Sequence, residues 1–233
     1  MSGFEFVLGL GDDALVAAQR LAQWCARAPE LEEDVALANI ALDQLGAARL
    51  LLGYAGELEG EGRDEDALAY LRTDREYRNV LLVELPDRDF AVLMAKLLFL
   101  SAWQRLRYED LAAGDDERLA GIAAKAVKES AYHLDHSALW TVRLGDGTDE
   151  SHARMQRAVD EVWPYTHELL AEAPHLRANW LSTVDGVLAE ATLRRPDDGW
   201  RPGGGRDGRH TEALSYLLAE MQVLHRAYPG ARW

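Results

Sequence analysis

Apolar residues recur at steps of three and four along almost the whole chain. This periodicity constrains the fold more than any other feature, because it specifies long amphipathic α-helices and leaves no alternating run suited to a strand. A first helix is expected over about 12–28, with Asp12 or Asp13 near its N-terminus, Leu15, Ala18, Ala22 and Cys25 as its apolar stripe and Pro29 as its stop. A second opens near Glu30, where Glu32, Glu33 and Asp34 suit a helix N-terminus, and runs to about Leu58, before Glu59-Gly60-Glu61-Gly62. A charged connection containing a short helix spans 63–78. Two more long helices are expected over about 89–113 and 116–144, joined by the tight Gly114-Asp115 link. A fifth, over 150–172, should kink at Pro164. A shorter helix covers 176–191, and a last one, over 211–228, follows the Pro/Gly-rich segment Arg195–Arg209.

Four long helices joined in pairs by short turns, with a long connection between the second and third, specify an all-α, ferritin-like four-helix bundle with additional C-terminal helices. A single domain is expected over residues 1–233, its bundle core at about 11–172 and its C-terminal helices and Gly/Pro loop at about 173–233. Hydrophobic residues make up 48% of the 233, enough for a core that needs no disulfide or structural metal. The one cysteine, Cys25, excludes an internal disulfide and a Cys-rich zinc site, and it suits a reducing cytoplasm. Met1 to Val7 carries no basic region ahead of a long apolar stretch, so no signal peptide is expected. The apolar run around Leu50–Leu52 is too short to span a bilayer. With 25 basic and 40 acidic residues the net charge is −15, which argues against nucleic acid and anionic membranes and for a protein partner.

Bundles of this type can hold two irons through a Glu on each of two helices and Glu-x-x-His on each of the other two. Carboxylates bridge the ions and imidazoles complete them. A spacing of three keeps both ligands of a pair on one helix face. The second helix, with an inward stripe read as Ala36, Asn39, Asp43, Gly46 and Leu50, offers Asp43 and then Gly46 where the histidine belongs. The fourth, with Ala126, Ser130, His133, Ser137 and Trp140 inward, offers Ser130 and His133, and Glu129 lies one position out of phase. Gln19 and Ser101 fall at plausible depth on helices one and three. Only Asp43 and His133 of the six positions remain suitable ligands. The pattern reads as a degenerate metal site, equally as a hydrogen-bonded polar network among Asn39, Asp43, Ser130 and His133, with no catalytic, cofactor or metal residue assigned.

Other candidates carry less. His133 and His136 resemble a ligand pair but face different parts of the bundle. His152, His167, His175, His210 and His225 show no usable spacing. The glycines around Arg206 lack the Lys-Ser/Thr ending and preceding strand of a phosphate loop. Arg194, Arg195, Arg201, Arg206 and Arg209 make that segment locally basic, and a solvated loop is the expected reading. The seven tryptophans (24, 103, 140, 163, 180, 200 and 233) are expected mostly as core or interface anchors, and Cys25 as core.

Several segments together carry a resemblance. They are Leu10-Gly11-Asp12-Asp13, Trp24-Cys25, Ala28-Pro29-Glu30-Leu31-Glu32, Leu37-Ala38-Asn39-Ile40, Leu42-Asp43, Leu81-Leu82-Val83-Glu84, Ala124 to Glu129, Tyr132-His133-Leu134, Leu144 to Asp149, His210-Thr211-Glu212 and Leu218 to Gln222. Across essentially its whole length the chain resembles the structural C-subunit family of the 1,2-phenylacetyl-CoA epoxidases, the multicomponent oxygenases of aerobic phenylacetate breakdown. The resemblance implies a ferritin-like subunit that has lost its metal ligands and pairs with a homologous A subunit. That A subunit holds the di-iron centre and substrate pocket, and a reductase holding FAD and an iron–sulfur cluster draws electrons from NADPH. The resemblance places Asp43 and Gly46 on one Glu-x-x-His and Ser130 and His133 on the other, with Gln19 and Ser101 near the remaining carboxylates. Ser101 stands where related members of the family can carry an acid.

Two other function classes stay open on the sequence. One is an independent di-metal oxygenase using off-pattern ligands such as Glu129, Glu33 or Glu84. The other is a general helical adaptor. Self-association is a further possibility, and an exposed apolar surface is expected on the side of helices one and two.

Overall fold

The computed structural model describes residues 3–231, which are all-α with no strand among them. They form two compact units, one built from residues up to 86 and from 204 onward, the other from residues 87–203.

The first unit is organised on a hairpin of α1 (Gly3–Ala22) and α2 (Leu31–Glu59). Helix α1 begins well before the expected position, because Val7, Leu8 and Leu10 are buried and tertiary packing overrides the weak helix propensity of Gly9 and Gly11. It also stops earlier than expected. Ala26 sits in the left-handed region (φ 65), which no right-handed helix accommodates, and Pro29 bars a restart until Leu31. Asp34 closes the turn by accepting the Ala28 N–H at 3.0 Å. Cys25 therefore lies in the turn and is exposed, not on an apolar stripe.

Helix α2 buries Leu37, Ile40, Ala41, Gln44, Ala47, Leu51 and Ala55. It ends on Gly60, whose positive φ of 75 is open to glycine without strain. By length and composition α2 could cross a bilayer, but 44% of its apolar window is buried within the protein.

The expected connection follows as α3 (Glu65–Tyr70), a helical turn at Asp74–Glu76 and the single turn α4 (Leu81–Glu84). Asp64 caps α3 by accepting the Ala67 N–H at 2.8 Å. The final helix α10 (Glu212–Ala227) returns to this connection, where Gln222 donates to the carbonyls of Ala69 (3.1 Å) and Arg72 (3.0 Å).

The second unit centres on α5 (Phe90–Ala112), which is buried along most of Ala91–Gln104 and packs along α6 (Glu117–Gly145). Asp89 and Asp116 cap the two helices through the N–H groups of Val92 (2.9 Å) and Leu119 (2.9 Å). Around them lie α7 (Asp149–Val162), α8 (Thr166–Ala171) and α9 (Arg177–Glu190). The expected kink at Pro164 is a break, a tight turn over Trp163–Tyr165 between α7 and α8. Phe99, Trp163 and Trp180 pack edge-on and tilted, with centroids 5.6–5.8 Å apart, and the Trp180 indole donates to the Phe99 carbonyl at 3.0 Å. Trp24 and Trp103 are also buried, Trp140 is half-buried and Trp200 is exposed; Trp233 lies outside the described residues.

Candidate functional site

The inward face of α6 is Ala126, Ser130, His133, Ser137 and Thr141, all buried, while Trp140 is only half-buried. Ser137 donates back to the His133 carbonyl at 2.8 Å, and Thr141 donates to the Ser137 carbonyl at 2.8 Å. On α5, Ser101 is fully buried, donates to the Leu97 carbonyl at 2.6 Å and meets the Ser137 hydroxyl at 3.4 Å. The α5–α6 seam thus brings Ser101 and the Ser130/His133 stripe together. Its hydroxyls turn mainly to backbone one helical turn back. His136 is half-buried and, like His133, flanks the Tyr132 ring, at 6.2 and 6.3 Å.

On α2 the phase differs from the expected one. Asp43 and Gly46 are half-buried, Asn39 and Leu50 are exposed, and Gln44 is the buried polar residue of the helix. The polar network expected to include Asn39 therefore lacks it. Gln19 is half-buried on α1.

The donor chemistry of these six positions does not suit two hard cations. A di-iron site draws on four carboxylates and two imidazoles. Gly46 has no side chain, Ser101 and Ser130 are neutral hydroxyls, and Gln19 is a neutral amide. Among the described residues no group of three or more His, Cys, Asp or Glu is placed to hold a metal ion. Of the off-pattern carboxylates, Glu129 pairs with Lys125 at 3.4 Å, and Glu84 is engaged in the network described next.

That network, in the first unit, is a buried charged cluster whose members show no relation to one another in the sequence. Asp12 and Asp13 are not helix-capping acids but mid-helix residues of α1, at most 1% exposed. Asp12 makes a bidentate pair with the buried Arg72 and accepts the Arg78 N–H at 2.8 Å. Asp13 accepts the Val80 N–H at 2.8 Å and binds Arg206 through both oxygens, at 2.9 and 2.6 Å. Glu84, fully buried, accepts from Asn79 (2.8 Å) and the Thr211 N–H (2.6 Å) and meets His210 Nδ1 at 2.7 Å. The other ring nitrogen of His210 lies 3.1 Å from the Tyr77 carbonyl. Both nitrogens face acceptors, an arrangement that the imidazolium satisfies in full and a neutral tautomer does not. Burial works to depress its pKa, but Glu84 and the Tyr77 carbonyl outweigh burial and raise it. An Asp-Asp pair inside an apolar helix, and a Glu closing the run Leu81-Leu82-Val83, are the signals that the sequence offers for this cluster.

The arginines of the 195–209 segment are paired. Arg195 binds Asp185 (2.6 Å), Arg201 binds Asp198 (3.2 Å), Arg209 binds Asp207 (2.9 Å) and Arg206 binds Asp13. A side chain on Gly205 would meet the Asn79 carbonyl at 2.1 Å, so only glycine lets Arg206 reach Asp13 at this approach. Arg195 and Arg206 tie the loop to helices, while Arg201 and Arg209 pair within it.

The sequence profile of the phenylacetic acid catabolic protein family matches residues 1–233. The chain is also similar to the C subunit of the 1,2-phenylacetyl-CoA epoxidase of Escherichia coli (strain K12), with 46% identity over 243 aligned positions that cover 98% of each chain. A match over the full length, at an identity this high, on an all-α chain, leaves one conclusion: this protein belongs to the phenylacetic acid catabolic protein family.

Proposed function

We propose that this chain is the non-catalytic structural subunit of a multicomponent 1,2-phenylacetyl-CoA epoxidase, and that it supports a separate, homologous di-iron subunit. One observation carries the reading. A chain alignable over 98% of its length with the C subunit of an epoxidase has Gly46, Ser101 and Ser130 at or near the positions that we assign to an imidazole and two carboxylates of a di-iron bundle. The hydroxyls of the α5–α6 seam support it, because their bonds to the preceding helical turn serve packing there. In this arrangement oxygen chemistry belongs to the partner, with electrons delivered by a flavin and iron–sulfur reductase from NADPH. The lone, exposed Cys25 suits a reducing cytoplasm, which we propose as the site of action.

Elemental analysis tests this directly. The isolated chain, purified from iron-supplemented cells, should contain far less than one iron per chain, and the complex with the catalytic subunit should contain the full complement. Stoichiometric iron in the isolated chain would overturn the proposal.

A further inference from the structure

Helix α2 is apolar on two opposite sides, and only one of them is packed within its own unit. Leu31 (73% exposed), Val35 (55%), Leu42 (64%) and Leu45 (41%), with Ala38 between them, step by four and three along the outward face. That is the spacing of a helix-packing seam. No other element of the first unit covers it. Where the seam reaches Leu45 it opens into a pocket of about 300 Å³ lined by Leu15, Leu45, Ala48, Leu52, Ala69 and Tyr70, and the exposed Arg49–Glu65 pair (3.2 Å) lies at its rim. An apolar stripe ending in a pocket is the form of a surface that receives a helix and one anchoring side chain.

The charge around the stripe selects the occupant. Beside the stripe on α2 stand Glu32, Asp34 and Asp43, with Glu57 further along, against the one base Arg49, itself paired with Glu65. A second copy would bring acid against acid across the seam, within a molecule already at −15, and an anionic membrane is disfavoured for the same reason. We infer that the outward face of α2 is the docking surface for a helical partner chain that carries its own apolar stripe edged by lysine or arginine. Resting on the function proposed above, that partner is the catalytic subunit of the epoxidase.

The test is titration of the purified catalytic subunit with three forms of the full chain: wild type, Leu42→Glu, and Leu31→Glu/Val35→Glu. These side chains are more than half exposed, so the variants should melt like wild type. Each should bind at least about 30-fold more weakly, the worth of one interface hot spot. Val223→Glu, on the exposed face of α10, should bind as wild type does. Raising the salt should weaken the wild-type complex, as a basic rim on the partner requires. If wild type binds and both α2 variants bind equally well, the surface is wrong and the proposed function stands. If wild type does not bind, the function fails and the surface assignment falls with it. A self-dimer of the isolated chain, or its cosedimentation with phosphatidylcholine vesicles, abolished by Leu42→Glu would give the face to another occupant and overturn the inference.

Discussion

His210 shows how much a single side chain holds in place. Its two ring nitrogens tie Glu84 and the Tyr77 carbonyl to the start of α10, and its side chain is 3% exposed. The groups facing it are Glu84, the Tyr77 carbonyl and, at longer range, the charges of Asp12 and Asp74. Because its pKa is raised on folding, the imidazolium contributes stability in full below the ordinary histidine value near 6.5, and that contribution is lost as pH climbs through the higher folded value. His210→Gln should therefore destabilise the protein by about 2 kcal/mol at pH 6. In urea titrations of both proteins from pH 6 to 9 the difference should shrink as pH rises, and a gap independent of pH would contradict the charged pair. None of this network is legible from spacing. Asp13 and Glu84 are far in sequence from Arg206 and His210, and each taken singly resembles a surface charge. Helical periodicity does reveal Ser130, His133 and Ser137, because no charged residue of α6 lies on its buried face.

At the level of the helices, the sequence is legible wherever a local stop signal exists. Gly60, Pro164 and the Gly114-Asp115 link fall where elements end or break, because their backbone chemistry acts without tertiary help. Helix α1 departs from expectation at both ends because its boundaries are set by packing and by the left-handed Ala26, neither of which has a local signature. The inward face of α2 departs for a different reason. With leucines on both sides, periodicity cannot say which row is inward, and Asn39 and Leu50 are exposed while Gln44 is buried. The Gly60 stop offers a clean test. A β-carbon there would touch nothing within 4 Å, so Gly60→Ala probes backbone strain alone. Denaturant unfolding should show a loss of about 1 kcal/mol from the positive φ, with the helix content of the native protein unchanged.

For the molecule as a whole, the question is whether a bundle with a few ligands restored would become a metalloprotein. Gly46→His with Ser130→Glu completes both three-residue motifs, as Asp43-x-x-His and Glu-x-x-His133, and leaves Gln19 and Ser101 as they are. Four ligands on two helices still lack the two carboxylates that the other helices of a di-iron bundle contribute. The new Glu would stand where Ser130 is 2% exposed. A carboxylate there carries a desolvation cost of several kcal/mol unless it finds a partner, so its pKa should rise and it should stay protonated. A protonated acid is a poor ligand, and the missing carboxylates leave too little negative charge to draw iron from water. The double variant should melt below wild type, show no upward shift in melting temperature with added ferrous iron, and consume no oxygen with reductant present. An iron-dependent thermal shift in the double variant would mean that the six positions retain more coordinating power than their side chains declare. The assignment of Gln19 and Ser101 as spent positions would then have to be abandoned.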